Sequence, residues 1–114
     1  MKYQEHVNLF KALSDETRLQ ILSLLQEGEQ CARDLLEQVS ISQSTLSHHM
    51  KILTESRAVT AKKEGKWMYY SICPFGYESA LVFLNSIISK SINASEDEEN
   101  KNIVPNKTVT LQLM

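Results

Sequence analysis

Apolar and polar positions recur with a helical period through the first half of this chain and with a strand period after it. Tyr3, Val7 and Phe10 fall at spacings of four and three, which predicts a helix from about Tyr3 to Leu13. A second helix is expected to start at Ser14 as N-cap, with Asp15 and Glu16 in the first turn, where the helix dipole favours acids. Leu19, Ile21, Leu22, Leu24 and Leu25 cover most of its circumference, so it should be the buried central helix, ending at Gly28 as the C′ residue. A third, short helix covers about Gln30 to Gln38, with Ala32, Leu35, Leu36 and Val39 as its apolar side. Ser40-Ile41 makes a turn. A fourth helix runs from Ser42 as N-cap to about Glu55, with Leu46, Met50 and Leu53 facing inward.

The period then changes. Val59-Thr60-Ala61-Lys62-Lys63 and Lys66-Trp67-Met68-Tyr69-Tyr70-Ser71-Ile72 flank Glu64-Gly65 and predict a hairpin with a basic tip. A last helix is expected from about Phe75 to Ser91. Tyr77, Leu81, Leu84 and Ile88 form its stripe, which Val82, Phe83 and Ile87 widen beyond what one side of a small domain buries. The excess predicts a homodimer interface through Tyr77, Leu81, Leu84 and Ile88. Residues 1–92 are expected to form one domain. Residues 93–114 should be an acidic, polar, disordered tail, with a faint strand pattern at Val109, Leu111 and Leu113.

The third helix, its tight turn and the polar-faced fourth helix make a helix-turn-helix, and the hairpin after it is a wing. The predicted fold is mainly α with a small β-hairpin, a winged helix-turn-helix dimerising through terminal helices. On the fourth helix Gln43, Ser47 and Lys51 share the side opposite the core, flanked by Ser44 and His48. Amides, hydroxyls and imidazoles of this kind hydrogen-bond base edges in a major groove, and lysines neutralise phosphates. Gln43, Ser44, Ser47 and His48 are the expected base readers. Thr45, Lys51, Lys62, Lys63 and Lys66 are expected to meet phosphates or backbone, and Ser42 completes the expected DNA-binding set.

The net charge of −2 changes this picture only until it is divided. The tail holds Glu96, Asp97, Glu98 and Glu99 against Lys101 and Lys107, so residues 1–92 are neutral overall. Residues 42–70 carry Lys51, Arg57, Lys62, Lys63 and Lys66 against Glu55 and Glu64, a net of +3. The positive charge thus lies on the predicted reading helix and wing. No apolar run approaches the ~20 residues of a membrane span, and no secretory core follows Met1, so a cytoplasmic location is expected. No nucleophile elbow, phosphate-binding loop, zinc-protease motif or paired-carboxylate arrangement marks an enzyme.

Three blocks of the chain resemble the ArsR/SmtB family of bacterial metalloregulators. They are Phe10-Lys11-Ala12-Leu13-Ser14-Asp15-Glu16-Thr17-Arg18-Leu19-Gln20-Ile21-Leu22, the stretch from Ile41 to Leu53, and Lys63-Glu64-Gly65-Lys66-Trp67-Met68-Tyr69-Tyr70-Ser71-Ile72. The resemblance implies a dimeric winged-helix repressor that leaves a dyad operator in double-stranded DNA when an inducer binds, and it needs no cofactor to bind DNA. The metal site that zinc-type members carry on the last helix requires histidines. The span from Phe75 to Ser91 offers Glu78 and none.

Arsenical-type members resemble Glu-Leu-Cys-Val-Cys-Asp-Leu where this chain reads Glu29-Gln30-Cys31-Ala32-Arg33-Asp34-Leu35. Cys31 matches the first thiol, and Arg33 stands in place of the second. Soft ions such as As(III) and Sb(III) want two or three thiolates. Cys31 therefore stands open to three roles. It joins Cys73 or a partner-chain thiol in a thiophilic site, it senses oxidants or reactive sulfur from the first helical turn, or the repressor works without an inducer. A winged helix that serves protein interaction without DNA is the remaining alternative. Adjacent His48 and His49 are poorly placed to hold one metal, and His6 is expected on the surface.

Overall fold

The computed structural model describes residues 2–94, with side chains over 3–92. Its elements run α1 (Lys2–Leu13), α2 (Glu16–Leu25), β1 (Gln30–Cys31), α3 (Ala32–Gln38), α4 (Gln43–Glu55), β2 (Val59–Glu64), β3 (Trp67–Ile72), a 3-10 turn (Pro74–Gly76) and α5 (Glu78–Ala94). The chain divides into two compact units, one from Met1 to Glu78 and one from Ser79 onward. The expected tail begins inside α5, which runs to Ala94, and its remainder with the strand pattern at Val109, Leu111 and Leu113 lies outside the described residues.

In the first unit the winged helix-turn-helix is as the periodicity predicts, with differences at the joints. α1 does bury a face, but it is His6, Leu9 and Ala12 rather than Tyr3 and Val7, which stay exposed. His6 is thus a core residue. Its ring lies 6.4 Å from both Tyr3 and Phe10, so the imidazole completes the aromatic side of the helix. α2 is capped by Asp15, one residue later than expected. Its carboxylate accepts from Arg18 N at 3.0 Å, while Ser14 Oγ turns back to donate to Phe10 O. The buried stripe of α2 is Ile21, Leu22 and Leu25. Leu19 is exposed and Leu24 half-buried, so α2 is one-sided rather than enclosed. Gln26 is its C-cap, which leaves Gly28 one position beyond the expected C′.

The largest departure is at Gln30-Cys31. The expected helix start is instead a short strand that pairs antiparallel with β3, Gln30 opposite Tyr70 and Cys31 opposite Tyr69. The hairpin thereby becomes a three-stranded sheet in the order β1-β3-β2. A two-stranded ribbon is marginal by itself, and a third strand anchors its base. Gln30 also ties helix ends together. Its amide donates to Leu24 O at 2.8 Å, in the last turn of α2, and accepts from Gln38 Nε2 at the far end of α3.

α4 ends in a reversal that launches the wing. Arg57 N donates to Thr54 O and Ala58 N to Leu53 O, the paired bonds of a Schellman cap, with Arg57 at φ +67 where glycine is usual. Cys73 N and the Tyr77 hydroxyl both donate to Ala58 O, at 3.2 and 3.1 Å. Burial raises the Tyr77 phenol above its ordinary value, with a further push from Cys73, so it remains a donor. Tyr77 therefore precedes α5 and holds the end of β3 to the end of α4, rather than opening the stripe of the last helix. Leu35, Leu53 and Val59, essentially without solvent contact, bring α3, α4 and β2 into the core.

In the second unit α5 starts later than the expected Phe75, because Pro74–Gly76 form the 3-10 turn. Leu81, Val82, Leu84, Ile87 and Ile88 are all exposed along it. Among the described residues no helix is long and apolar enough to cross a membrane.

Candidate nucleic-acid interface

α4 presents the polar face that its sequence predicts. Ser42 is the N-cap, its Oγ accepting from Thr45 N at 3.2 Å and donating to Thr45 Oγ1 at 2.9 Å, with Ser44 Oγ 3.3 Å away. These bonds set the first turn and occupy part of the hydrogen-bonding capacity of Ser42 and Thr45. Gln43, Ser44, Thr45, Ser47, His48 and Lys51 are all exposed, while Leu46, Met50 and Leu53 lie on the buried side. The helix is therefore seated by one stripe and open along the other.

His49 belongs to the seat. It is buried, and its Nδ1 lies 3.1 Å from Arg18 Nη1 and 3.9 Å from Asp15 Oδ2. Arg18 also donates through Nε to Ala12 O at 2.7 Å and through Nη2 to Lys11 O at 3.4 Å. These are carbonyls of the last turn of α1, which lack partners inside the helix. One guanidinium thus joins the end of α1, the start of α2 and the middle of α4. Burial is the main cause that lowers the His49 pKa below its ordinary value. Arg18 and His48 add to that, and Asp15 opposes it. The neutral ring accepts from Arg18. Asp15 is held below the ordinary carboxylate value chiefly by its bond from the Arg18 backbone.

On the wing, Gly65 at φ +63 and Lys66 connect Glu64 to Trp67, its ladder partner. Side chains alternate across a strand, so Lys62 and Lys63 point to opposite faces. Lys62 pairs with Glu29 and Glu64, each at 3.3 Å, and the bonds to these carboxylates, Glu64 first, raise its pKa. Lys63 and Lys66 are exposed and make no ion pair among the described residues. Lys66 Nζ lies 5.7 Å from the centre of the Trp67 ring, and Arg33 Cζ lies 5.0 Å from the same ring.

Residues 15–61 match the family described as "Bacterial regulatory protein, arsR family". The arsenical resistance operon repressor of Staphylococcus aureus is 50% identical over 72 residues, which cover 63% of this chain and 69% of that protein. The chain belongs to the ArsR family. Among solved structures, an ArsR-like transcriptional regulator from Rhodococcus sp. RHA1 superposes with a TM-score of 0.72 at 26% identity, covering 86% of this chain and 92% of the other. The homodimeric winged helix-turn-helix DNA-binding domain of a possible ArsR-family regulator from Mycobacterium bovis gives 0.61 at 26% identity, covering 84% and 87%. The arsR match begins at Asp15, the cap of α2, and ends at Ala61, in the first strand of the wing.

In this ArsR-family transcriptional regulator the two thiols are apart. Cys31 is buried, faces Tyr69 in the ladder and is the N-cap residue of α3, outside the helical turn expected for it. Cys73 lies four residues beyond Tyr69, about 13 Å at the rise of an extended strand. Both thiols are free, Cys31 buried and Cys73 half-buried. Among the described residues no group of three His, Cys, Asp or Glu side chains is placed to hold a metal ion. Sequence reading passed over Arg18 and Trp67, and took Arg33 only as the residue in place of a second thiol. The signal for Arg18 lay inside the Asp15–Arg18 capping pattern. Trp67 and Arg33 could be matched only once β1 was known.

Proposed function

We propose that this chain is a homodimeric repressor that reads a dyad operator through α4 and meets the flanking phosphates with its wing. The supporting observation is the α4 surface itself: Gln43, Ser44, Ser47 and His48 exposed on a helix whose opposite stripe is fully buried. The basic balance of residues 42–70 supports the same reading. In the dimer, Leu81, Leu84 and Ile88 of α5 cover their counterparts, which gives the exposed apolar stripe a partner. Residues 1–92 act as the working domain, 93–114 as its tail, and the site of action is the cytoplasm.

Selection of bound duplexes from a random double-stranded library tests this reading. A symmetric consensus with half-sites about 10 base pairs apart is expected. Recovery of unrelated sequences without dyad symmetry would overturn it and favour a protein-interaction module.

Release by a thiophilic inducer such as As(III) or Sb(III) is supported by the likeness to arsenical resistance operon repressors. A second reading is favoured by the separation of Cys31 from Cys73: the soft ion is held between thiols of two chains, or the single buried Cys31 answers an oxidant or reactive sulfur instead. Arsenite, antimonite and peroxide titrated onto the protein–operator complex, with Cys31→Ser and Cys73→Ser in parallel, separate these cases. Indifference to all three reagents would remove the thiol switch.

A further inference from the structure

The distal wing has little to hold it. β1 is two residues long and pairs only with Tyr69 and Tyr70, so beyond Tyr69 the hairpin continues as a two-stranded ribbon. Every β2 residue after Val59 is exposed. A ribbon of this kind twists and splays unless side chains tie it down. Two contacts do so. On β2, Lys62 reaches across the sheet to Glu29. On β3, Trp67 receives the Arg33 guanidinium at 5.0 Å.

The second contact follows from the ladder. Gln30 faces Tyr70 and Cys31 faces Tyr69, so two further steps in the same register bring Arg33 opposite Trp67. The backbone has already turned into α3 at Ala32, and a short side chain at position 33 would leave the ring only its sequence neighbour Lys66, at 5.7 Å, with no tie to α3. Arginine has the reach to keep the cross-strand contact after the strand has ended. Its planar guanidinium also stacks on an indole face as well as attracting it electrostatically.

We propose that Arg33, stacked on Trp67, fixes the direction in which the wing leaves the helix-turn-helix and is thereby a positioning residue for wing–DNA contact. The proposal rests on the DNA-binding reading above. The stack spans the joint between α3, which carries the reading helix behind it, and the wing tip, where Lys63 and Lys66 lie. Holding that joint sets the spacing between the α4 surface and the wing lysines before DNA arrives. The benefit is preorganisation: less wing freedom is lost on binding.

Trp67 is the only tryptophan of the chain, so its fluorescence reports this contact directly. In the free 114-residue chain, Arg33→Ala is expected to raise acrylamide quenching of Trp67, and Arg33→Lys to restore protection only in part. On a selected operator duplex, Arg33→Ala and Trp67→Leu should each weaken binding about two- to fivefold, the range of an exposed cation–π contact. The double variant should be no weaker than either single one. Arg33 is exposed, so its variants leave the core intact even if Trp67→Leu folds poorly.

Unchanged quenching in Arg33→Ala would show that no stack exists and would overturn the proposal. Changed quenching with unchanged affinity would overturn the positioning role. Weakening by Arg33→Ala but not by a folded Trp67→Leu would make Arg33 a direct phosphate ligand instead, with the salt slope falling by about 0.9. Wild-type protein that binds no duplex would overturn the proposed function and the positioning role together, while the quenching result still decides whether the stack exists.

Discussion

Arg18 Nη1 meets Nδ1 of His49 at 3.1 Å, joining the first turn of α2 to the buried side of α4 across 31 positions of sequence. The contact needs a neutral imidazole, because a protonated ring has no lone pair at Nδ1 and would face a guanidinium.

That requirement sets a pH dependence. The His49 pKa is lowered from its ordinary 6.5 in the folded chain, so the unfolded chain takes up the proton first as pH falls. The stabilisation from keeping His49 neutral is present above pH 6.5 and is lost progressively as pH drops from there through the folded value. Urea midpoints at pH 7.5, 6.5 and 5.5 should decline, and His49→Gln should flatten that decline. An unaltered slope in the variant would assign the pH dependence to other groups.

Arg18→Ala should destabilise the fold by about 2–3 kcal/mol, because it strips charge-assisted donors from Ala12 O and from His49 together. Arg18→Lys should recover less than half, since one ammonium cannot span both acceptors. Chemical denaturation reads both values. A loss below about 0.5 kcal/mol for Arg18→Ala would mean that water replaces the arginine at no cost.

The reversal after α4 is crowded. A Cβ on Gly76 would overlap the carbonyl of Arg57. Gly76→Ala should therefore cost about 3 kcal/mol or more, the upper end of overpacking. Arg57→Gly should raise the melting temperature, since a left-handed conformation costs a non-glycine residue roughly 1–2 kcal/mol. A lower melting temperature for Arg57→Gly would show that the side chain contributes more than its backbone strain costs.

The wing lysines should not be equivalent. Lys63→Ala is expected to weaken binding to all sequences and to reduce the salt slope by about 0.9, the value for one phosphate. Lys62→Ala should change the slope by much less, because Glu29 and Glu64 already neutralise Lys62. Equal slopes for the two variants would show that these ion pairs dissolve on DNA.

α4 was legible residue by residue. Ser42 caps it, Leu46, Met50 and Leu53 are buried, and Gln43, Ser47 and Lys51 are exposed. Both properties are local: a side-chain cap acts within one turn, and a 3.6-residue period assigns faces without knowledge of the partner. α1 shows the limit of the same reasoning. Tyr3, Val7 and Phe10 do share a face, but the core selected His6, Leu9 and Ala12 instead. A histidine carries no sign of burial until its neighbours are known.

The five helices in their order, the hairpin with its glycine turn and the polar face of α4 could all be read from the amino-acid sequence, since each depends on residues a few positions apart. The sites near residue 30 were set by packing. Gln30-Cys31 became a strand because β3 offered it hydrogen bonds. That pairing separated Cys31 from Cys73 and carried Arg33 onto Trp67. The difference is one of range. Hydrophobic period and capping are encoded in neighbouring residues, whereas strand register and the Arg18–His49 contact exist only once segments distant in sequence have packed.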